Sequence, residues 1–432
     1  MGQAAQAPSG TRDFLADDLR RRKAAVAAVS EIFERYGFDP LETPAFERLE
    51  VVTGKYGEEA ANLLFKILRR GAHEAGGQAD LALRYDHTVP LARVIGTHGS
   101  KLPFPFKRYA IGPVWRADRP QEGRFREFVQ CDVDTVGSHS PLADAEIVQA
   151  VADGLEALGV IDFRFLVNSR EALRGLLEVY NVDTFLSDGV LASLDKLDKL
   201  GAEAVVTELT ERGISATTAE RLVTDIVADS PDLIRAKLET NPRGKQGLAD
   251  VDRLLELTGD LEGRIAFSPR MVRGLDYYTG AIWEVEAAGY PGAVAAGGRY
   301  DRLVAALGGP EVPAVGGSVG IERILAVQEP ESGGDHGLDV ALTVLEDSGG
   351  ELLRLARELR RHGLRVGTYL GSSTKLGKQL TWANAHKARV AVIRGTEEQS
   401  AGAVTVRDMT SGEQQRVADA DAAQRIEELL RD

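Results

Sequence analysis

Cysteine is all but missing from this chain: one residue, Cys131, in 432. An internal disulfide framework is therefore excluded, and a reducing compartment is favoured. No uncharged apolar run reaches the roughly 18–20 residues that a membrane span needs, so no membrane association is expected. The opening Met1–Gln6 has neither a basic stretch nor an apolar core. No signal peptide is expected, and the location expected is cytoplasmic. Familiar phosphate loops are lacking too. No GxGxxG follows a strand-like run. Gly371–Lys378 imitates a P-loop but has one residue too many between its glycines, and Gln379 replaces the required Ser or Thr. The seven histidines form no HExxH or HxH pattern. With one cysteine there is no thiolate zinc site, so no protein-held metal is expected. A serine hydrolase lacks its GxSxG starting point.

What is present is an ordinary globular composition, 43% hydrophobic and 27% charged, with a net charge of −14. The length suggests about two to three domains. The acidic average argues mildly against a nucleic-acid partner, but it hides a local reversal. Between Glu351 and Arg394 ten basic residues face only Glu351 and Glu358, a local balance of +8. Such a stretch is either a solvated helix face or a surface that meets a polyanion.

Periodicity divides the chain. Asp17–Tyr36 reads as an amphipathic helix stopped by Gly37. Leu81–Arg84, Phe106–Val114 and Phe128–Val136 read as strands, and 141–158 and 169–181 as helices. Residues 184–262 are strongly helical, an inserted module. Strand-like sequence returns at 264–267 and 281–286, while 291–300 is rich in Gly and Ala. The polar, Gly-rich Glu329–Gly337 is a linker by composition. Beyond it, strands at Val340–Leu345, Arg365–Tyr369, Val390–Arg394 and Ala403–Val406 alternate with helices at Glu351–Arg361, Leu376–His386 and Ala422–Leu430. That pattern predicts a small α/β domain with a mostly parallel sheet, and the basic stretch lies inside it.

Three segments carry chemistry. In Trp115–Asp134, strand-like sequence flanks a polar loop, and a hairpin would bring Arg116 and Arg124 together. This is either a charged hairpin at a sheet edge or a cationic clamp for phosphate, with Gln130 and Asp134 on one strand face. In Met271–Thr279 and Ala295–Asp301, arginines stand beside glycines and tyrosines. Paired glycines let backbone approach a flat ligand, and the arginines suit an anionic nucleotide.

Arg273–Tyr278 (RGLDYY) and Ala296–Asp301 (AGGRYD) resemble the two histidine-specific signatures of histidyl-tRNA synthetases. Trp115–Asp134 resembles class II synthetase motif 2, Gly316–Ile324 resembles motif 3, and Phe38–Glu47, with Pro44, resembles the dimer-interface motif 1. Arg84–Pro90 and 191–200 look closer to the eukaryote-like branch of that family. The resemblance runs in order over nearly the whole chain. It implies an α+β class II catalytic domain, an antiparallel sheet with helices, in two parts (1–183 and 263–328). A helical insertion (184–262) lies between them, and a linker (329–337) leads to a C-terminal α/β anticodon-binding domain (338–432). It further implies a homodimer that uses ATP and Mg²⁺ to activate L-histidine and then charges tRNA-His.

The same resemblance assigns residues. Arg116 would meet the α-phosphate, Arg323 the γ-phosphate, and Arg273 would bridge the histidine carboxylate and the α-phosphate. Asp118, Arg124 and Phe128 would complete the ATP site, Phe128 by stacking on adenine. Asp86, Thr88 and Gln130 would hold the α-amino group. Asp134 and Tyr278, with Tyr277 beside them, would surround the imidazole, whose neutral ring offers one donor and one acceptor. Gln121 and Glu122 would touch the acceptor end of the tRNA, and Lys375, Lys378 and Arg389 the anticodon stem and loop. Arg302 stands where a small residue is frequent and is a departure from the pattern. The alternative is a silent or specialised paralog, such as a regulatory subunit of histidine biosynthesis or a biosynthetic-cluster duplicate.

Overall fold

The computed structural model describes residues 5–53, 62–71, 76–120, 123–272, 277–328, 337–345 and 349–431. The chain divides into two compact units, residues 1–329 and 330–432.

The first unit is built on an eight-stranded sheet. Its strands are β1 (Asp39–Pro40), β5 (Phe106–Trp115), β6 (Glu127–Val136), β7 (Phe163–Ser169), β8 (Ile265–Phe267), β9 (Ala281–Ala287), β10 (Ala295–Arg299) and β11 (Ala314–Val319). The order is β1-β5-β6-β11-β10-β9-β7-β8. The six central strands are antiparallel, and β1 and β8 add in parallel at the two edges. The β5–β6 hairpin runs in unbroken register from Phe106 opposite Val136 to Trp115 opposite Glu127. Its strand β6 is interior, between β5 and β11, whereas β1 covers β5 only at Arg108 and Tyr109, so the hairpin end stands near the sheet edge.

Alternation along these strands gives the sheet two different faces. Val129, Cys131 and Val133 of β6 are buried in an apolar layer under the helix Pro141–Ala157. Ser140 caps that helix by accepting from the Leu142 amide, and Pro141 opens it. Trp283 of β9 belongs to the same layer, and glycines make room for it. A Cβ at Gly297 would lie 2.3 Å from the indole, and one at Gly317 2.5 Å from it. Arg299 is also structural: it pairs with Asp144 of the helix and with Asp301 at 3.2 Å. The opposite face carries the polar residues described below.

A three-stranded sheet, β2 (Phe46–Arg48), β4 (Ala79–Leu83) and β3 (Lys66–Leu68), lies beside the hairpin, and β4 leads into the helix Thr88–His98. Arg93 of that helix grips the buried Glu47 with contacts of 2.7 and 2.9 Å. Arg84 donates to the Thr43 and Pro113 carbonyls.

Residues 184–261 form helices throughout, with no strand. Ser215, Ser230 and Asn241 cap successive helices by accepting from backbone amides. The last helix, Pro242–Leu257, packs closely on Arg170–Val179. A Cβ at Gly247 would lie 2.0 Å from the Ala172 backbone nitrogen, and one at Gly175 2.4 Å from that of Gly244. The helical stretch thus shares one continuous apolar core with the sheet. Sequence periodicity passed over β7, a strand wedged between two helices, and β10 and β11, whose glycines mask their pattern.

The second unit is a five-stranded sheet, β13 (Val366–Thr368), β12 (Val340–Leu342), β14 (Val390–Ile393), β15 (Ala403–Asp408) and β16 (Gln414–Ala418), in that order. Only β13, β12 and β14 are parallel; β15 and β16 are antiparallel. The expectation of a mostly parallel sheet is corrected: β15 runs antiparallel to β14, and the tight turn after Asp408 adds β16 to it as a hairpin. Helices Gly349–Arg361, Leu376–Ala385 and Ala422–Arg431 complete the unit, with Leu352, Ala356, Leu359 and Ile426 in its core. The Glu329–Gly337 linker lies outside the described residues except for Gly337.

Candidate active site

The polar face of the large sheet is set by register. Arg108, Asp134, Gly316, Gly298 and Ile282 stand in one row across β5, β6, β11, β10 and β9. Ala110, Asp132, Ser318, Ala296 and Glu284 form the next row, and Gly112 and Gln130 begin a third. Over these rows lies a cavity of about 310 Å³. Glycine is required on the first row: a Cβ at Gly316 would lie 2.0 Å from Asp134 Oδ1. Of the paired glycines, then, Gly316 and Gly298 face the cavity side and Gly317 and Gly297 accommodate Trp283.

Seven expected site residues line the cavity: Asp86, Thr88, Arg116, Gln130, Asp134, Tyr277 and Tyr278. Asp86 Oδ1 accepts from the Thr88 and Val89 amides at 3.1 and 3.0 Å, so it caps the helix Thr88–His98 and is fixed by it. Asp134 is fixed from two sides. Arg108 Nη2 lies 2.7 Å from its Oδ2, and the Tyr300 hydroxyl donates to its Oδ1. Arg108 also donates to the His87 carbonyl at 3.1 Å, which joins the two walls of the cavity. Gln130 Nε2 donates to Ser318 Oγ at 3.3 Å. Gln130 Oε1 and Asp132 Oδ1 are buried with no hydrogen-bond partner among the described residues. Two such acceptors suit a ligand rich in donors, because a buried acceptor left unpaired is costly. Tyr277 packs on Tyr278 and Tyr300, with centroids 5.0 and 5.8 Å apart.

Burial dominates the electrostatics. It pushes the Asp134 carboxyl up to about 7, a shift that Arg108 opposes. It raises Asp132 in the same way. The Tyr278 hydroxyl is raised by burial and by the nearby carboxylates. His87 goes the other way, down to about 3, because burial and then Arg108 and Arg84 disfavour its cation. A neutral His87 faces the Gly112 carbonyl at 3.1 Å.

At the hairpin end, Arg116 lies over Tyr85 and Phe128, 4.3 and 5.2 Å from the ring centroids, and donates to the Tyr85 carbonyl at 3.2 Å. Arg124 pairs with Asp118 at 2.8 Å. Arg323, at the start of the helix Ile321–Val327, donates to the Ala293 carbonyl. Asp118, Arg124, Phe128 and Arg323 are not among the cavity's lining residues. Arg273, Gln121 and Glu122 lie outside the described residues. Arg302 is exposed and precedes the helix Leu303–Ala306, away from the lining. Lys375, Lys378 and Arg389 belong to the second unit. Lys375 and Lys378 are exposed at the start of the helix Leu376–Ala385, and Arg389 is half-buried beside β14. Among the described residues, no group of three or more His, Cys, Asp and Glu side chains is placed to hold a metal ion.

Sequence reasoning missed Asp132, Glu284, Ser318, Tyr300 and Asp195, which also line the cavity. Asp132 carried a signal: it is the middle member of the alternation Gln130, Asp132, Asp134 on one strand face. Arg108 carried none, since only its register with Asp134 reveals it.

An antiparallel sheet whose one face presents carboxylates, with arginines at the hairpin end, has the architecture of a class II synthetase catalytic domain. Comparison gives the family. Residues 10–324 match the family model described as histidyl-tRNA synthetase, and 339–429 match that of an anticodon binding domain. A histidine--tRNA ligase of Gloeobacter violaceus is 39% identical over 459 residues, with 98% of each chain covered. One from Aeropyrum pernix is 39% identical over 444 residues, again with 98% of each covered. The crystal structure of histidyl-tRNA synthetase from Nostoc superposes with a TM-score of 0.74 at 30% identity, covering 99% of this chain and all of that one. The chain belongs to the histidyl-tRNA synthetase family.

Proposed function

We propose that the protein is a histidine--tRNA ligase. It joins L-histidine to ATP as histidyl-adenylate, releases pyrophosphate, and passes the histidyl group to the 3′ end of tRNA-His. The observation that carries this reading is the cavity in which Asp86, Thr88, Gln130, Asp134 and Tyr278 meet Arg116, in a chain of this family over nearly its whole length.

The residues divide the work. The α-ammonium of histidine offers three donors, and Asp86, Thr88, Gln130 and the newly placed Asp132 supply oxygen acceptors. The imidazole lies between Asp134 and Tyr278, an acceptor and a phenol that read its donor and acceptor. A pocket built on such hydrogen bonds rejects isosteres that lack them by a large factor. Attack of the histidine carboxylate on the α-phosphate forms a C–O–P anhydride as the bond to pyrophosphate breaks. Negative charge builds on that phosphate, so cations and alignment carry the rate. Arg116 and Arg273 are assigned to this charge, Arg323 to the γ-phosphate, and Asp118, Arg124 and Phe128 to the adenosine side. Asp118 pairs with Arg124, and the Ala293 carbonyl accepts from Arg323, which orients both guanidiniums. Mg²⁺ would arrive on the phosphates of ATP as part of the substrate.

The second unit would bind the anticodon arm through Lys375, Lys378 and Arg389, and Gln121 and Glu122 would meet the acceptor end. Phe38–Glu47 would form the homodimer contact, in the cytoplasm. The domain division 1–183, 184–262, 263–328, 329–337 and 338–432 is part of this proposal. The eukaryote-like placement rests on Arg84–Pro90 and 191–200 alone, and the bacterial and archaeal relatives reported above lend it nothing. A silent paralog is not favoured, since the cavity retains its carboxylates and Arg116.

The test is aminoacylation of a tRNA-His transcript by wild type and Arg116→Ala. Histidine transfer by wild type, with kcat falling by at least about 100-fold in the variant, is expected for loss of a charge that stabilises the transition state. A folded wild type that binds tRNA-His but transfers no histidine would overturn the reading.

A further inference from the structure

The segment before the first helix, Pro8–Phe14, ties together two parts of the nucleotide site that the sequence keeps almost 200 residues apart. It holds the motif 2 hairpin by its backbone: the Gly10 carbonyl accepts from the Arg126 amide at 2.8 Å. Gly10 has φ +82°, and a Cβ there would lie 2.7 Å from the Arg126 side chain, so this seat requires glycine. Arg126 in turn donates to the Asp118 carbonyl at 2.9 Å. Two residues on, the Arg12 guanidinium carbon lies over the Phe125 ring, 3.6 Å from its centroid, and 4.7 Å from that of Phe14. Its Nη2 pairs with Glu322. Glu322 is buried, and Arg22 at 2.5 Å is its second cation.

Phe125 follows Arg124 and Glu322 precedes Arg323 in sequence. Arg12 therefore bridges the neighbours of two arginines that the proposed function assigns to ATP. A guanidinium that sits over an aromatic ring and pairs with a buried carboxylate at the same time fixes the separation of the two.

We propose that Arg12 is a positioning residue for ATP: the N-terminal segment is a strap that sets the spacing between the motif 2 loop and the motif 3 helix. This inference rests on the synthetase reading of Arg124 and Arg323. The strap leaves the histidine pocket alone, because none of its residues lines the cavity.

The experiment compares wild type, Arg12→Ala, Arg12→Lys, Phe125→Leu and the control Arg20→Ala, whose partner Asp17 is on the exposed face of the first helix. KM for ATP and for histidine are measured by pyrophosphate exchange, and the MgATP dissociation constant by calorimetry. Arg12→Ala is expected to raise both ATP constants about 10-fold, the size of one charge-assisted hydrogen bond, with KM for histidine within about twofold of wild type. Arg12→Lys keeps the charge without the planar guanidinium, and Phe125→Leu keeps the bulk without the ring. Both are expected to shift in the same direction by a smaller factor, and Arg20→Ala not at all. The strap is overturned by unchanged ATP constants in folded Arg12→Lys and Phe125→Leu, or by equal rises for ATP and histidine. A wild type that binds MgATP but shows no exchange would instead fail the synthetase reading, and the ratio of MgATP dissociation constants would still decide the strap.

Discussion

Asp134 and His87 titrate in opposite senses within one buried network. Asp134 is raised to about 7 from an ordinary 3.8, so the folded chain holds that proton more tightly than the unfolded chain. Its contribution to stability is full below about pH 4 and is lost as pH rises through about 7. His87 is depressed to about 3 from 6.5, so its contribution is full above 6.5 and is lost as pH falls towards 3. Asp134→Asn removes the first slope and leaves the second. Its stability should therefore rise more steeply with pH between 4 and 7 than that of wild type. Urea denaturation at several pH values reads this, and parallel curves would refute the assignment. Tyr300→Phe deletes the hydroxyl that holds Asp134 Oδ1. KM for histidine should rise about 10-fold, from about 1–2 kcal/mol of lost hydrogen bonding, with KM for ATP unchanged. At this scale the sequence was legible wherever a motif or an alternation named the residue, as for Gln130 and Asp134. Tyr300 lay in plain view inside AGGRYD, but its task depends on the cross-strand position of Asp134. No local pattern encodes that.

Among the elements, glycines decide how closely backbones approach. The helices Arg170–Val179 and Pro242–Leu257 meet through Gly175, Gly244 and Gly247. Gly247→Ala would force a methyl against the Ala172 backbone and should cost about 1–3 kcal/mol by overpacking. Thermal melting checks it: a melting temperature equal to that of wild type would show that the two helices part freely. The helices of 184–261 were readable because their apolar spacing and Ser or Asn caps agree. Strands β10 and β11 were not, because their glycines serve neighbours on both faces of the sheet. Gly297 and Gly317 make way for an indole, and Gly316 makes way for a carboxylate. Glycine carries no face preference in sequence, so both strands read as loop.

Across the whole molecule, an acidic chain carries one strongly basic stretch, Glu351–Arg394 with a balance of +8, inside its second unit, which fits a polyanionic partner there. Replacing Lys375, Lys378 and Arg389 together by Ala should weaken tRNA binding. The slope of log affinity against log salt should flatten by about 0.7–0.9 for each phosphate that is no longer neutralised. Adenylate formation in the first unit should be unaffected, and an unchanged salt slope would remove these residues from the interface. The division into two units was legible because the polar, Gly-rich sequence from Glu329 marks the boundary. The shared core of helices and sheet was not, because packing between distant segments leaves no periodic trace.

Activation of histidine is tested by exchange of labelled pyrophosphate into ATP without tRNA, run with each of the twenty amino acids on wild type and Arg273→Ala. Exchange is expected with histidine alone and is expected to be lost in the variant. A folded protein that exchanges with no amino acid, or as readily with others as with histidine, would contradict histidine activation.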